Sequence, residues 1–306
     1  MNIVRELDEL WAASTFADAA ARTEQLCGVL PLLDLFNDDP YGLAEQVRDR
    51  RRIAALGLFT PNALFALAYP TIRAIRDGDQ IVLDGRFRYA VARADVSLVD
   101  IELEDQTRLA LLPHTLEGVR VHGAGHAEDW GWGELTGAVL QARALSRPVS
   151  WVADGPLVRT LDDYGWEFAR RSSSWTTRII ADLRRVLANT GVGTEALSTS
   201  QYIAHELSKL EIEISLAASA ARFGPAFKGE EPGGQAMAAV LLSCTDLLRR
   251  SVRVAEDLNT ELGLWPIPGA DTDWPAASIH AYFGGRRMLE SELARRMGLV
   301  RPETSA

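Results

Sequence analysis

Cysteine is scarce in this sequence, with only Cys27 and Cys244 among 306 residues. Two thiols so far apart supply no disulfide framework, and a reducing, cytoplasmic setting is expected. Long apolar runs are absent as well. None approaches the roughly 20 residues a membrane-spanning helix needs, so no membrane span is expected. The first residues carry Glu6 and Asp8 where a secretion signal would run basic and then apolar. Dense basic blocks are missing too. The nearest, Arg48-Asp49-Arg50-Arg51-Arg52, is short, and a net charge of −10 would repel a phosphate backbone, so no nucleic-acid partner is expected. Internal repeats and low-complexity segments are not seen.

What is present has the profile of an ordinary globular protein, 47% hydrophobic and 24% charged, with ample length for a large core. Apolar residues recur with a helical period from Ile3 to about Ala21, through Val4, Leu7, Leu10, Trp11 and Phe16. A loop at Asn37-Asp38-Asp39-Pro40 precedes a second expected helix, roughly Tyr41 to Leu56. Strand patterns then follow closely: Gln80 to Leu83, Phe87 to Val91, Val96 to Leu103, Arg108 to Leu112, Gly118 to Val121 and Leu135 to Leu140. Asp84-Gly85, between two apolar runs, reads as a hairpin turn because Gly accepts a positive φ. After Pro156 the period returns to 3.6, with helices expected at Leu161–Ala188, Ser200–Phe223, Gln235–Leu262 and Ala276–Met297. The expected architecture is α+β: an N-terminal helical block (1–57), a middle antiparallel β domain (58–150) and a C-terminal four-helix bundle (151–306).

This order and its local wording resemble the acyl-CoA dehydrogenase family over about Phe59 to Leu299. Leu83-Asp84-Gly85, Tyr89-Ala90-Val91 and Ala94-Asp95 match the family's Asn-Gly, Trp-Ile-Thr/Ser and Ala-Asp stretch. Thr60 stands where the Thr-Glu-Pro loop would be. Ser200 through Ala218 resembles the family's Gln … Leu-Ala … Ala-Arg helix, and Tyr282-Phe283-Gly284-Gly285 its Tyr-Glu-Gly-Thr segment. The resemblance implies FAD taking a hydride from an acyl thioester while a carboxylate removes the α proton. It assigns flavin contacts to Thr60, Tyr89, Val91, Asn189 and Gly263, and a substrate pocket to Trp166, Phe283, Gly284 and Gly285.

Several of these positions depart from the pattern. Phe283 replaces the commonest base, and Val91 replaces the flavin-bonding hydroxyl. The Arg-x-x-Phe-Gly motif falls at Asn189-Thr190-Gly191-Val192-Gly193, without the Arg or the Phe. The Gly-Gly-x-Gly turn becomes Thr260-Glu261-Leu262-Gly263, with a carboxylate where a pyrophosphate would lie. These four changes point to a diverged protein that handles an acyl thioester or a hydrophobic small molecule, its flavin chemistry impaired or lost. It would be a repurposed enzyme or a subunit pairing with a complete homologue, and FAD binding stays open.

Two alternatives stand beside that reading. One is a working FAD-dependent dehydrogenase with Glu167 as the base, since some family members carry an alternative base on the first bundle helix. Against it, Glu167 could be a solvated helix residue beside Arg170 and Arg171. The other is a non-catalytic helical scaffold. By resemblance the protein is a homodimer or homotetramer. The His122, His126, Glu128 and Asp129 group reads as a surface loop, so no metal site is expected. Ser172-Ser173-Ser174 reads as polar helix surface.

Overall fold

The computed structural model describes residues 3–58, 72–89, 94–122, 131–150, 155–192, 195–196, 201–224 and 233–262. The described residues divide into two compact units, one drawn from Met1–Ala19 and Gly165–Ala277, the other from Ala20–Tyr164. Thr60, Val91, Gly263, Phe283, Gly284 and Gly285 lie outside the described residues, as does the expected helix Ala276–Met297.

The N-terminal periodicity resolves into α1 (Ile3–Ala13) and α2 (Phe16–Thr23). The break between them comes from Thr15, whose Oγ1 accepts the Asp18 N–H at 3.2 Å and so caps α2. A π-helical turn, Glu24–Val29, leads into α3 (Leu30–Leu32), and α4 (Leu43–Arg48) follows. The expected second helix is therefore too long. It stops at Arg48, and Ala54–Gly57 forms strand β1, fully buried and paired in parallel with β4 (Val96–Leu103). An apolar run buried on both faces carries no alternating pattern, so its period does not separate strand from helix.

The Asp84-Gly85 turn is also corrected. Both residues lie inside one strand, β3 (Gln80–Tyr89), and the hairpin turn sits earlier, at Gly78 (φ +59), where β2 (Arg73–Asp77) meets β3. Asp84 instead marks a bulge against β7 (Gly131–Gln141): the register shifts between Leu83 and Gly85, and Asp84 Oδ1 accepts the Gly137 N–H at 2.8 Å. An Asp-Gly pair serves a bulge as readily as a turn, because both need an acceptor beside a flexible backbone.

The remaining strands are β5 (Gln106–Pro113) and β6 (Val119–His122). The seven strands form one mostly antiparallel sheet in the order β1-β4-β2-β3-β7-β6, with β5 on the other edge of β4. Its inner face carries Ile81, Leu83, Phe87, Tyr89, Val99, Ile101 and Leu140, all nearly inaccessible. Each such side chain contributes about 1.5–3 kcal/mol by leaving water. Gly131 and Gly133 on β7 sit opposite Tyr89 and Phe87, whose rings lie across the bare backbone; a Cβ at Gly133 would fall 2.2 Å from the Phe87 ring.

In the other unit, α5 (Pro156–Asn189, shared at its start with the sheet unit), α6 (Gln201–Phe223) and α7 (Gly233–Leu262) are the long helices, close to the expected spans. β8 (Gly191–Val192) and β9 (Glu195–Ala196) make a short ribbon after α5. Trp11, Phe16, Phe168 and Trp175 interlock edge to face, which fastens α1 to α5. Leu207, Leu210, Ile214 and Ala217 form a buried stripe along α6, and Ile203, on the same spacing, is only partly buried. The serine run departs from the expected surface position. Ser172 and Ser173 are buried, because each hydroxyl donates to a carbonyl three residues back, Ala169 and Arg170, and needs no water.

Candidate functional site

Glu167 sits on α5 inside an ion-pair chain. Its Oε1 accepts from Arg171 Nε at 2.7 Å and from Arg170 at 2.7 Å, and its Oε2 accepts from Arg170 Nε at 3.1 Å. The i,i+3 and i,i+4 spacing places both arginines on the carboxylate. Arg171 is buried, and its other nitrogens reach Asp8 and the Val4 carbonyl on α1. A side chain able to accept a substrate proton needs a free lone pair aimed at that proton. Both oxygens of Glu167 are engaged by guanidinium groups.

Trp166, the neighbouring residue, is 4% exposed and packed against Gly224 at the end of α6; a Cβ there would lie 2.0 Å from the indole. Its ring is held in the helical core. Asn189 lies 22 residues beyond Glu167 on the same helix, about 33 Å at 1.5 Å per residue, so within one chain the two are far apart. The Asn189 amide donates to Arg185 O at 2.8 Å and closes the helix end.

Tyr89, in the sheet unit, has its ring over Gly131, and its hydroxyl donates to His122 O at 3.3 Å. Burial raises its phenol above the ordinary value. Among the described positions assigned to flavin, then, Tyr89 belongs to the sheet core and Asn189 to a helix cap.

Two polar pairs were not anticipated. Glu24, fully buried on the π-turn, accepts the Leu56 N–H at 2.7 Å and the Tyr164 hydroxyl at 3.3 Å. Burial, then the Glu24 charge, pushes the Tyr164 phenol well above its usual value. His114 and the buried Ser97 meet at 2.8 Å, and burial lowers the imidazole's affinity for a proton, partly offset by Asp95. Both pairs join residues apart in sequence, and nothing in the polar run Arg22-Thr23-Glu24-Gln25 signalled that Glu24 would be inside. Among the described residues no group of three or more His, Cys, Asp or Glu is placed to hold a metal ion. His122 instead stacks on Trp132 at 4.0 Å.

Comparison with solved structures settles the architecture. Butyryl-CoA dehydrogenase from Megasphaera elsdenii superposes with a TM-score of 0.74 over 95% of this chain and 80% of that one, at 16% identity. The chain has the acyl-CoA dehydrogenase fold. Glutaryl-CoA dehydrogenase from Mycobacterium smegmatis, solved with FADH2, matches at TM-score 0.70 and 15% identity, covering 95% of this chain and 82% of its own. FkbI, for biosynthesis of the methoxymalonyl extender unit of the polyketide FK520, matches at TM-score 0.72 and 17% identity, with 93% and 81% coverage. No protein-family model and no curated protein matches the sequence. At these identities the likeness is one of fold, and the acyl-CoA dehydrogenase fold is carried by residues that differ almost throughout. Among the described residues no helix is long and apolar enough to cross a membrane.

Proposed function

We propose that this chain is a diverged acyl-CoA dehydrogenase-like protein that holds an acyl thioester or a hydrophobic small molecule, with flavin redox chemistry impaired or lost. The reading is carried by one contrast: the fold is kept while the residues that the resemblance assigns to chemistry are replaced. Phe283 cannot take a proton, Val91 offers no hydroxyl, Asn189 stands in a segment without the phosphate-binding Arg, and Glu261 sets a negative charge beside Gly263. The pairing of Glu167 with Arg170 and Arg171 supports a structural role for the one carboxylate nominated as a substitute base. Similar structures named for butyryl-CoA and glutaryl-CoA support a thioester as the ligand class. Trp166, Phe283, Gly284 and Gly285 remain the proposed pocket positions for that ligand and Thr60 a proposed flavin contact, within the proposed organisation 1–57, 58–150 and 151–306.

The protein acts as a homo-oligomer or beside a complete homologue. The support in this chain is a second stripe on α6: Ile212, Leu216 and Phe223 follow one another at helical spacing and are each more than half exposed. Isothermal titration with butyryl-CoA, paired with a dye-coupled oxidation assay in added FAD, tests the function. Binding without oxidation is expected. Multiple-turnover oxidation would overturn the reading.

A further inference from the structure

The outward face of the sheet has a composition unlike the rest of this acidic chain. Cross-strand registers place Arg88 beside Trp132 and Trp132 beside His122, and in the next row Arg86 beside Glu134 and Glu134 beside Arg120. Phe87, Tyr89, Gly131 and Gly133 point the other way, into the core, so these six side chains share the solvent face. Arg86 pairs with Glu134 at 3.0 Å, while Arg88 and Arg120 make no ion pair among the described residues. Trp132 is held upright by His122 stacked at 4.0 Å and by the Arg86 guanidinium 5.8 Å from its ring. Further along the same face Ile75, Val82 and Val139 form one apolar row across three strands, with Ile75 65% and Val139 39% exposed.

We infer that this face docks an acidic protein partner, transiently, through carboxylates on Arg88 and Arg120 with the Ile75–Val82–Val139 row as an apolar margin. Three features choose that occupant. Arginine forks beside a fixed tryptophan and a patch of aliphatic side chains make the mixture that protein interfaces favour. Nucleic acid is disfavoured because His122 and Arg86 flank the Trp132 ring, leaving little open π-face for a base, and because the chain carries net charge −10. A stable second copy is disfavoured by size. Val82 to Arg88 spans about 20 Å along β3 and four strands span about 14 Å, some 300 Å² against the roughly 800 Å² per partner of a standard interface. A small footprint with cations that make no ion pair among the described residues suits fast, electrostatically steered and weak docking.

Fluorescence anisotropy on the full chain at low salt tests this, with three labelled probes: a short Glu-rich helical peptide, a single-stranded uridine oligonucleotide, and phosphatidylserine vesicles. The peptide should bind, weaken with added salt, and bind about tenfold more weakly to the Arg88→Glu, Arg120→Glu double variant. Arg5→Glu, on the exposed face of α1, should leave binding unchanged. Circular dichroism checks that the variants fold, and Arg88→Gln with Arg120→Gln serves if charge reversal does not. Absent peptide binding, binding indifferent to the double variant, or tighter binding of the oligonucleotide or vesicles would each overturn the proposal.

Discussion

Replacing Glu167 with Gln separates a structural from a catalytic role for this carboxylate. The Arg171 side chain is 6% exposed and that of Glu167 is 18% exposed, so the 2.7 Å contact between them is shielded from water. Removing one partner of a fully buried pair costs about 3–5 kcal/mol, because the other charge is left uncompensated. Here Asp8 still pairs with Arg171, and the Arg170 side chain is 33% exposed. These two facts bring the expected loss down to roughly 1.5–2.5 kcal/mol. For a chain of this size that lowers the melting temperature by about 3–5 °C. Thermal unfolding by circular dichroism reads the loss, and Asp8→Asn should produce a smaller loss in the same direction. Dye-coupled oxidation of butyryl-CoA with added FAD, run on the same preparations, should be negligible for wild type and variant alike. An unchanged melting temperature together with abolition of a measurable wild-type oxidation would refute the structural role and make Glu167 a base.

Two further outcomes follow from the sheet unit. The raised Tyr164 phenol means the native state holds its proton more tightly than the unfolded chain does, so this contribution is complete below pH 10 and is lost as pH rises through the higher folded value. Tyr164→Phe should therefore flatten the alkaline fall of stability in urea titrations above pH 10, and an unchanged slope would contradict it. Gly133→Ala should cost about 1–3 kcal/mol in the same titrations, since its Cβ would meet the Phe87 ring at 2.2 Å; a neutral effect would show that the ring shifts freely.

Much of the fold was legible because its signals are periodic. The stripe Leu207, Leu210, Ile214 and Ala217 and the alternation along β3 each follow from one repeated spacing. Legibility failed where a short stretch serves two geometries. Ala54–Gly57 is apolar on every side, which suits a buried parallel strand as well as a helix end. Asp84-Gly85 supplies a side-chain acceptor and a flexible backbone, and only the partner strand with Gly137 decides for a bulge over a turn. At the candidate site the clamp of Glu167 by Arg170 and Arg171 was written in local spacing. Its closure by Asp8, and the joining of Glu24 to Tyr164, were not, because those contacts span 163 and 140 residues of chain. The burial of Ser172 and Ser173 was hidden for a related reason: a hydroxyl that bonds its own helix loses the polarity by which it is read.

The central claim is that an acyl-CoA dehydrogenase fold is retained here without working flavin contacts. The visible absorbance spectrum of the purified protein, before and after incubation with FAD and gel filtration, tests it most directly. The account predicts no flavin bands at stoichiometric intensity in either sample. A yellow protein carrying one FAD per chain would contradict it.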